Sequence, residues 1–86
     1  MLREALPKIV TPLPGPNAKA ILDRRAEAVP GAIGCAYKAV IARGEGAMFE
    51  DVDGNIFLDW IGGAGVLNMG YTNPDVVEAV KEQADK

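Results

Sequence analysis

Hydrophobic and polar residues alternate most regularly on the two sides of the pair Asp53-Gly54. An Asp-Gly pair favours a two-residue hairpin turn, because both central residues of that turn need positive φ. Side chains at alternate positions share one face of a sheet, and this turn places Phe49 opposite Leu58. We therefore predict a hairpin with a partly wetted face that includes Asp59. Its buried face carries Ala47, Phe49, Ile56, Leu58 and Trp60.

One further strand is predicted before the hairpin. Residues 38–42 contain the β-branched pair Val40-Ile41, and residues 43–46 contain two glycines, which is typical of a turn. Together with the hairpin this gives a three-stranded antiparallel meander. Such a sheet needs a cover for its apolar face, which a helix or further protein must supply.

A helix is predicted on each side of the sheet. Asn17 is a competent N-cap for the first helix, and Pro30 ends its apolar pattern. The second helix begins at Asn73, its N-cap, with Pro74 in the first helical position. The stripe of the second helix that we expect to be buried consists of Val76, Val77, Val80 and Ala84.

The two termini carry further expectations. Residues 1–16 hold four of the six prolines, and proline fixes φ, so we predict an extended arm that lies on a neighbouring surface. The second helical pattern reaches Lys86 without a glycine or proline stop. We therefore expect a truncated domain.

The composition excludes several classes of partner and of catalytic site. The net charge is −3 and the chain has no run of Lys or Arg, so a nucleic-acid partner is not expected. No segment is long and apolar enough to span a membrane. The chain has no histidine, which removes His-based catalysis and His-ligated metal. Its single cysteine, Cys35, fits a reducing cytoplasm, and we expect a small buried thiol.

The segment from Gly62 to Gly70 is glycine-rich but otherwise largely apolar, unlike a solvent-exposed linker. Taken alone, the pattern favours a tight turn in which glycine supplies the dihedrals. The alternative is backbone that lies close to other protein or to a ligand.

Three runs stand in a fixed order: RGEGAMFEDVDGNIFLDW at 43–60, GGAGVLNMG at 62–70 and NPDVVEAV at 73–80. As a composite over residues 15–86, the chain resembles class III pyridoxal-phosphate-dependent aminotransferases, and within them the 4-aminobutyrate aminotransferases. The resemblance covers about the first fifth of the family's chain.

The resemblance implies an α+β fragment, with an N-terminal helix, a three-stranded antiparallel meander and a C-terminal helix. This fragment belongs to the small domain of an α/β fold-type I transferase that uses pyridoxal 5′-phosphate. Residues 1–16 are the Pro-rich arm, and residues 17–86 are the truncated N-terminal segment of that domain. The family's cofactor-binding lysine lies downstream, so no catalytic, cofactor-binding or metal-binding residue is assigned here. The fragment alone is expected to bind no cofactor and to be inactive.

The resemblance also implies four substrate-binding residues. Ala64 follows the Gly-Gly pair and lines the substrate side of the cofactor, with Gly63 and Gly65 beside it. Tyr37, in the loop before the first strand, is the fourth candidate, with Ala36 as its alternative. Tyr71 stands where relatives commonly have histidine, which leaves the substrate open.

The implied reaction transfers an amino group from 4-aminobutyrate, or a similar amine, to 2-oxoglutarate in a homodimer or higher homo-oligomer. One alternative is a pyridoxal-phosphate-dependent amino-acid racemase or epimerase of the same family. Another is a non-enzymatic interaction module, if the 86 residues are the whole product.

Overall fold

A computed structural model describes the chain from Met1 to Lys86. The predicted α+β architecture is confirmed, with a three-stranded antiparallel sheet whose strands pair in chain order, and with one helix before the sheet and one after it along the chain. The elements in chain order are a 3-10 turn Leu2–Glu4, α1 Pro16–Ala28, β1 Ile41–Glu45, β2 Met48–Asp51, β3 Ile56–Leu58, a short turn α2 Gly62–Gly65 and α3 Pro74–Ala84.

The first strand lies further along the chain than predicted. β1 includes Arg43, Gly44 and Glu45, which the sequence pattern assigned to a turn. Arg43 lies opposite Glu50, and its Nε donates to the Glu50 carboxylate at 2.7 Å. This cross-strand pair extends the ladder, because opposite charges on facing positions stabilise antiparallel strands. The connection to β2 is the two-residue turn Gly46-Ala47.

The predicted register of the second hairpin is wrong by one residue. Phe49 lies opposite Phe57, and the loop between β2 and β3 is closed by a backbone hydrogen bond from Asp51 N to Asn55 O. Three residues therefore form the loop, and of these only Gly54 has positive φ, at 85°. The Asp51 carboxylate favours this longer loop, because Asp53 N and Asn55 N donate to it at 2.9 and 2.8 Å.

The shift in register changes which residues share a face. The Phe49 and Phe57 rings stack with their centroids 4.9 Å apart, so they share one face of the hairpin. Leu58 lies opposite the buried Met48 on the other face. Trp60, predicted to be buried, is 88% exposed. The predicted buried face therefore does not exist as one surface.

The two helices differ in how they begin. At α3, Asn73 is the N-cap as predicted, since its side chain accepts from Asp75 N and Val76 N. At α1, Pro16 is the first helical residue, and Gly15 rather than Asn17 is the N-cap. Asp53 caps α1 from a distance of 36 residues along the chain, accepting from Asn17 N and Ala18 N at 2.8 Å each.

The N-terminal arm is not extended throughout. Its 3-10 turn packs against β1 and β2 and buries Leu2. Further along, Lys8 exchanges two backbone hydrogen bonds with Ile56, at 2.9 and 2.7 Å. The arm thus lies along the free edge of β3.

Few side chains are buried. The buried hydrophobic residues are Leu2, Ala18 and Met48, and neither α1 nor α3 packs extensively on the sheet. The stripe of α3 that we expected to be buried is open, with Val80 63% exposed. Cys35, expected to be buried, is exposed. None of the helices combines the length and apolar character needed to cross a membrane.

Candidate functional site

The glycine-rich segment after β3 forms a left-handed turn. Gly62, Gly63 and Gly65 have φ of 61°, 62° and 91°, and Ala64 between them has φ of 60°. Glycine populates this region freely, whereas an alanine there is strained. The turn is closed by a hydrogen bond from Leu67 N to Gly62 O at 2.9 Å. The tight turn in which glycine supplies the dihedrals is therefore observed. The close approach of this backbone to other protein or to a ligand stays a prediction.

A single carboxylate holds the start of the turn. Asp59 Oδ1 accepts from Ile61 N at 3.0 Å and from Gly62 N at 2.8 Å. Asp59 Oδ2 accepts from the Tyr71 hydroxyl at 2.5 Å. Asp59 thus links the beginning of the glycine-rich segment to its end.

Tyr71 is itself fixed to the sheet. It exchanges two backbone hydrogen bonds with Gly46, at 2.8 and 3.2 Å. Its ring lies edge-on to Phe49, with centroids 6.2 Å apart, and covers Gly44 so closely that a Cβ there would lie 2.5 Å from the ring. Gly44 is therefore needed for close approach.

The electrostatics of the pair favour a charged acid and a neutral phenol. The Tyr71 hydroxyl, together with Gly62 N and Ile61 N, lowers the pKa of Asp59 below its usual value of 3.8, although partial burial opposes the shift. Burial, the hydrogen bond to Asp59 and the charge of Asp59 raise the pKa of Tyr71 to about 12. The hydrogen bond is therefore charge-assisted across the neutral pH range.

A small cavity of about 200 Å³ lies between the sheet and the glycine-rich segment. Asp59 supplies its one charged side chain. The cavity is lined by Gly46, Ala47, Asp59, Gly62, Leu67, Asn68, Gly70 and Tyr71. A second, wider hollow of about 450 Å³ lies open along α1, away from this segment.

The structure brings together three of the four predicted site residues. Gly63, Ala64 and Gly65 share the exposed turn, beside the cavity but outside its lining. Tyr37 lies in the loop between α1 and β1, is 59% exposed, and does not line the cavity. Their binding of substrate stays a prediction.

The sequence interpretation missed Asp59 and Tyr71 as structural partners. It placed Asp59 on a wetted strand face. Asp59 precedes the first N–H groups of the turn by two and three residues. An acidic residue at this spacing is a signal for hydrogen bonds from the backbone to its side chain. No comparable signal links Asp59 to Tyr71, because they are 12 residues apart and meet only through the fold.

The candidate site is an exposed left-handed turn of small residues. It follows an antiparallel sheet and precedes a capped helix. Because its side chains are small, another molecule can approach its backbone closely. Residues 32–86 match the family profile described as Aminotransferase class-III, and the chain belongs to that family.

Individual relatives agree with the family assignment. An alanine/serine racemase from Pyrococcus horikoshii is 44% identical over 80 residues, which are 92% of this chain and 17% of the racemase. A 4-aminobutyrate aminotransferase from Mycobacterium bovis is 41% identical over 76 residues, 88% of this chain and 17% of that enzyme. The chain therefore spans about a sixth of the length of these curated relatives.

A solved structure shares the fold. The crystal structure of an acetylornithine aminotransferase from Elizabethkingia anophelis superposes with a TM-score of 0.73 at 28% identity, covering 80% of this chain and 18% of that one. The arrangement of helix, three-stranded sheet and helix is thus that of an aminotransferase segment.

The residues of this chain do not fit a complete pyridoxal-phosphate site. The cavity beside the glycine turn is smaller than the roughly 300–1,000 Å³ of typical ligand pockets. Its lining contains no Lys or Arg for a phosphate, and its one charge is the carboxylate of Asp59.

Proposed function

We propose that this chain forms one wall of the substrate pocket of a pyridoxal-phosphate-dependent ω-aminotransferase of fold type I. The reaction transfers an amino group from 4-aminobutyrate, or a similar amine, to 2-oxoglutarate. The observation that carries the proposal is the exposed left-handed turn Gly62–Gly65 in a chain of the class-III family. The identity with the Mycobacterium bovis 4-aminobutyrate aminotransferase supports the choice of amine.

The shape of the turn suits a substrate wall. Gly63, Ala64 and Gly65 carry no side-chain atom beyond Cβ, so a carbon chain can approach the backbone closely. We propose that these three residues contact the amine, with Tyr37 reaching it from the preceding loop. The role of the chain is to shape and orient, and no proton or group transfer is assigned to its residues.

The exposed apolar residues around the turn support a place inside a larger protein. Trp60, Val66 and Met69 are 88%, 82% and 67% exposed, and a soluble surface rarely leaves so much apolar area uncovered. We propose that the complete protein covers them and supplies the cofactor site, and that it works as a cytoplasmic homodimer or higher homo-oligomer.

A second function in the same family is favoured by one observation. The alanine/serine racemase from Pyrococcus horikoshii is 44% identical to this chain over 80 residues. A racemase of a small amino acid is therefore the alternative that any assay must include.

The experiment is to express the complete product of the gene, load it with pyridoxal phosphate and assay both reactions. We expect glutamate to form from 4-aminobutyrate and 2-oxoglutarate, with a visible absorbance band of bound cofactor. As a control, the 86-residue chain alone, given the same cofactor, should show neither band nor turnover.

Other outcomes assign the function differently. Racemisation of L-alanine or L-serine without transamination supports the alternative. A complete product that shows neither activity and no cofactor band contradicts both enzymatic proposals, and leaves an interaction module as the interpretation.

A further inference from the structure

The glycine-rich segment is costly to hold in one shape. Gly62, Gly63 and Gly65 lose more backbone freedom on ordering than other residues do. Within the segment itself, backbone hydrogen bonds oppose this loss, including those from Val66 N and Leu67 N to Gly62 O and from Gly70 N to Leu67 O. A single defined wall therefore needs an additional restraint.

The Asp59 carboxylate supplies that restraint at both ends of the segment. One oxygen, Oδ1, accepts from the two backbone N–H groups that open the turn. The other oxygen, Oδ2, accepts from the hydroxyl of Tyr71, the first residue after Gly70. Because the Tyr71 backbone is hydrogen-bonded to the Gly46 backbone, this restraint is anchored to the sheet.

We propose that Tyr71 is a positioning residue for the amine-binding wall: its hydroxyl, bonded to Asp59, closes segment 61–70 so that the turn Gly62–Gly65 keeps one shape. This inference rests on the proposed function. It assigns Tyr71 no contact with substrate. We call the Asp59–Tyr71 hydrogen bond the loop clamp.

Tyr71→Phe isolates the hydroxyl from the ring. Phenylalanine keeps the packing over Gly44 and against Phe49, so the sheet should form as before. Thr72→Val is the matched control. It removes a neighbouring hydrogen bond, from Thr72 Oγ1 to Gly44 O at 2.8 Å, with an isosteric side chain and without touching Asp59.

Two readouts are taken on the complete gene product loaded with pyridoxal phosphate. The first is amide hydrogen exchange of segment 61–70, which does not depend on turnover. The second is the separation of KM for 4-aminobutyrate from kcat. In Tyr71→Phe we expect exchange to be about tenfold faster and KM about tenfold higher, since a hydrogen bond to a charged group is worth about a factor of ten. We expect kcat to change less than about twofold, because positioning affects binding of the amine.

Thr72→Val should leave both readouts close to wild type. Unchanged exchange in Tyr71→Phe would show that the clamp does not hold the segment, and would overturn the proposal. Faster exchange with KM no higher than in Thr72→Val would overturn the positioning role. Wild-type protein without turnover, but with exchange that responds to Tyr71→Phe, contradicts the proposed function and the link to amine binding, while the clamp itself stands.

Discussion

Two ends of the same hairpin are each fastened by carboxylates, with different results. At the loop between β2 and β3, the Asn55 side chain binds the N-terminal arm, the Asp53 carboxylate binds the start of α1, and the Asp51 carboxylate holds Asn55. At the other end, Asp59 binds the glycine-rich segment and Tyr71. We call these the arm end and the glycine end.

The hydrogen bonds at the arm end are all made between residues of this chain. Asn55 is fully buried, and its amide bonds Val10 N, Thr11 N, Thr11 Oγ1 and Asp51 Oδ2 at 2.7 to 3.0 Å. Burial acts to raise the pKa of Asp51, but hydrogen bonds from Asn55, Asp53 and Gly54 outweigh it, and the pKa lies below its usual value of 3.8. No buried side-chain nitrogen or oxygen there lacks a hydrogen-bond partner.

The glycine end is ordered but open. Its backbone is held by the loop clamp, yet Ala64 and Val66 face outward. The comparison teaches that the same chemistry, a carboxylate accepting backbone N–H groups, serves two purposes. At the arm end it holds the chain together, and at the glycine end it presents a surface.

The largest expected effect is at the arm end. Asn55→Ala removes four hydrogen bonds, and it takes that partner from the part-buried backbone N–H groups of Val10 and Thr11 and from the buried Asp51 Oδ2. Because an unsatisfied buried group costs more than a hydrogen bond gains, we expect the free energy of unfolding to fall by about 3 kcal/mol. Urea unfolding measures this, and the released arm should be cleaved faster by protease.

Asn68→Ala is the matched control for that loss. Asn68 is exposed and makes no side-chain hydrogen bond, so its change should be within about 0.5 kcal/mol. Equal losses from the two substitutions would show that the arm end does not carry the stability assigned to it.

Local chemistry accounts for what the sequence predicted well. Asn73-Pro74 caps α3 through residues two and three positions away, and the antiparallel order of strands follows from short connections. The glycine-rich segment stands out in the sequence because its composition is unusual by itself, and it forms the left-handed turn Gly62–Gly65.

Long-range chemistry accounts for what the sequence did not predict. Asn17 has the right side chain for an N-cap, but Asp53, 36 residues away, takes that role. The Asp53-Gly54 pair predicts a two-residue turn, but Asp51 draws one more residue into the loop, which moves Phe49 opposite Phe57. Asn55 then fixes this loop on an arm 44 to 45 residues earlier.

The pH dependence of the free energy of unfolding should distinguish the glycine end from the arm end, with a smaller effect than that of Asn55→Ala. Tyr71 has a folded pKa of about 12 against an ordinary value of 10.0, so its bonded, protonated form contributes stability fully below pH 10. That contribution is lost as the pH rises through 12, because the ionised phenol no longer donates to Asp59. We expect a fall in unfolding free energy over this window in the wild type that is smaller in Tyr71→Phe. A lack of difference between the two proteins in alkaline urea titrations would contradict the clamp.

On the acid side both ends should weaken together. The lowered pKa values of Asp51 and Asp59 mean that each contributes stability above pH 3.8, which is lost as the pH falls through the lower folded value. The alkaline loss is thus the signature of the glycine end alone. Its size is below that of Asn55→Ala, because the Tyr71 side chain is only partly buried.

The smallest expected effect tests the shape of the wall directly. Ala64 has φ of 60°, where an L side chain is strained and glycine is not. Ala64→Gly should therefore raise the free energy of unfolding by about 0.5 kcal/mol, the relief of strain exceeding the entropy that glycine adds to the unfolded chain. The control is Ala79→Gly in the middle of α3, at an exposed helical position, where the same substitution should cost about 1 kcal/mol. Opposite signs in thermal unfolding would show that the turn is left-handed in solution. A loss at Ala64 equal to that at Ala79 would mean that the turn has another shape, and the small-residue wall at the glycine end would lose its basis.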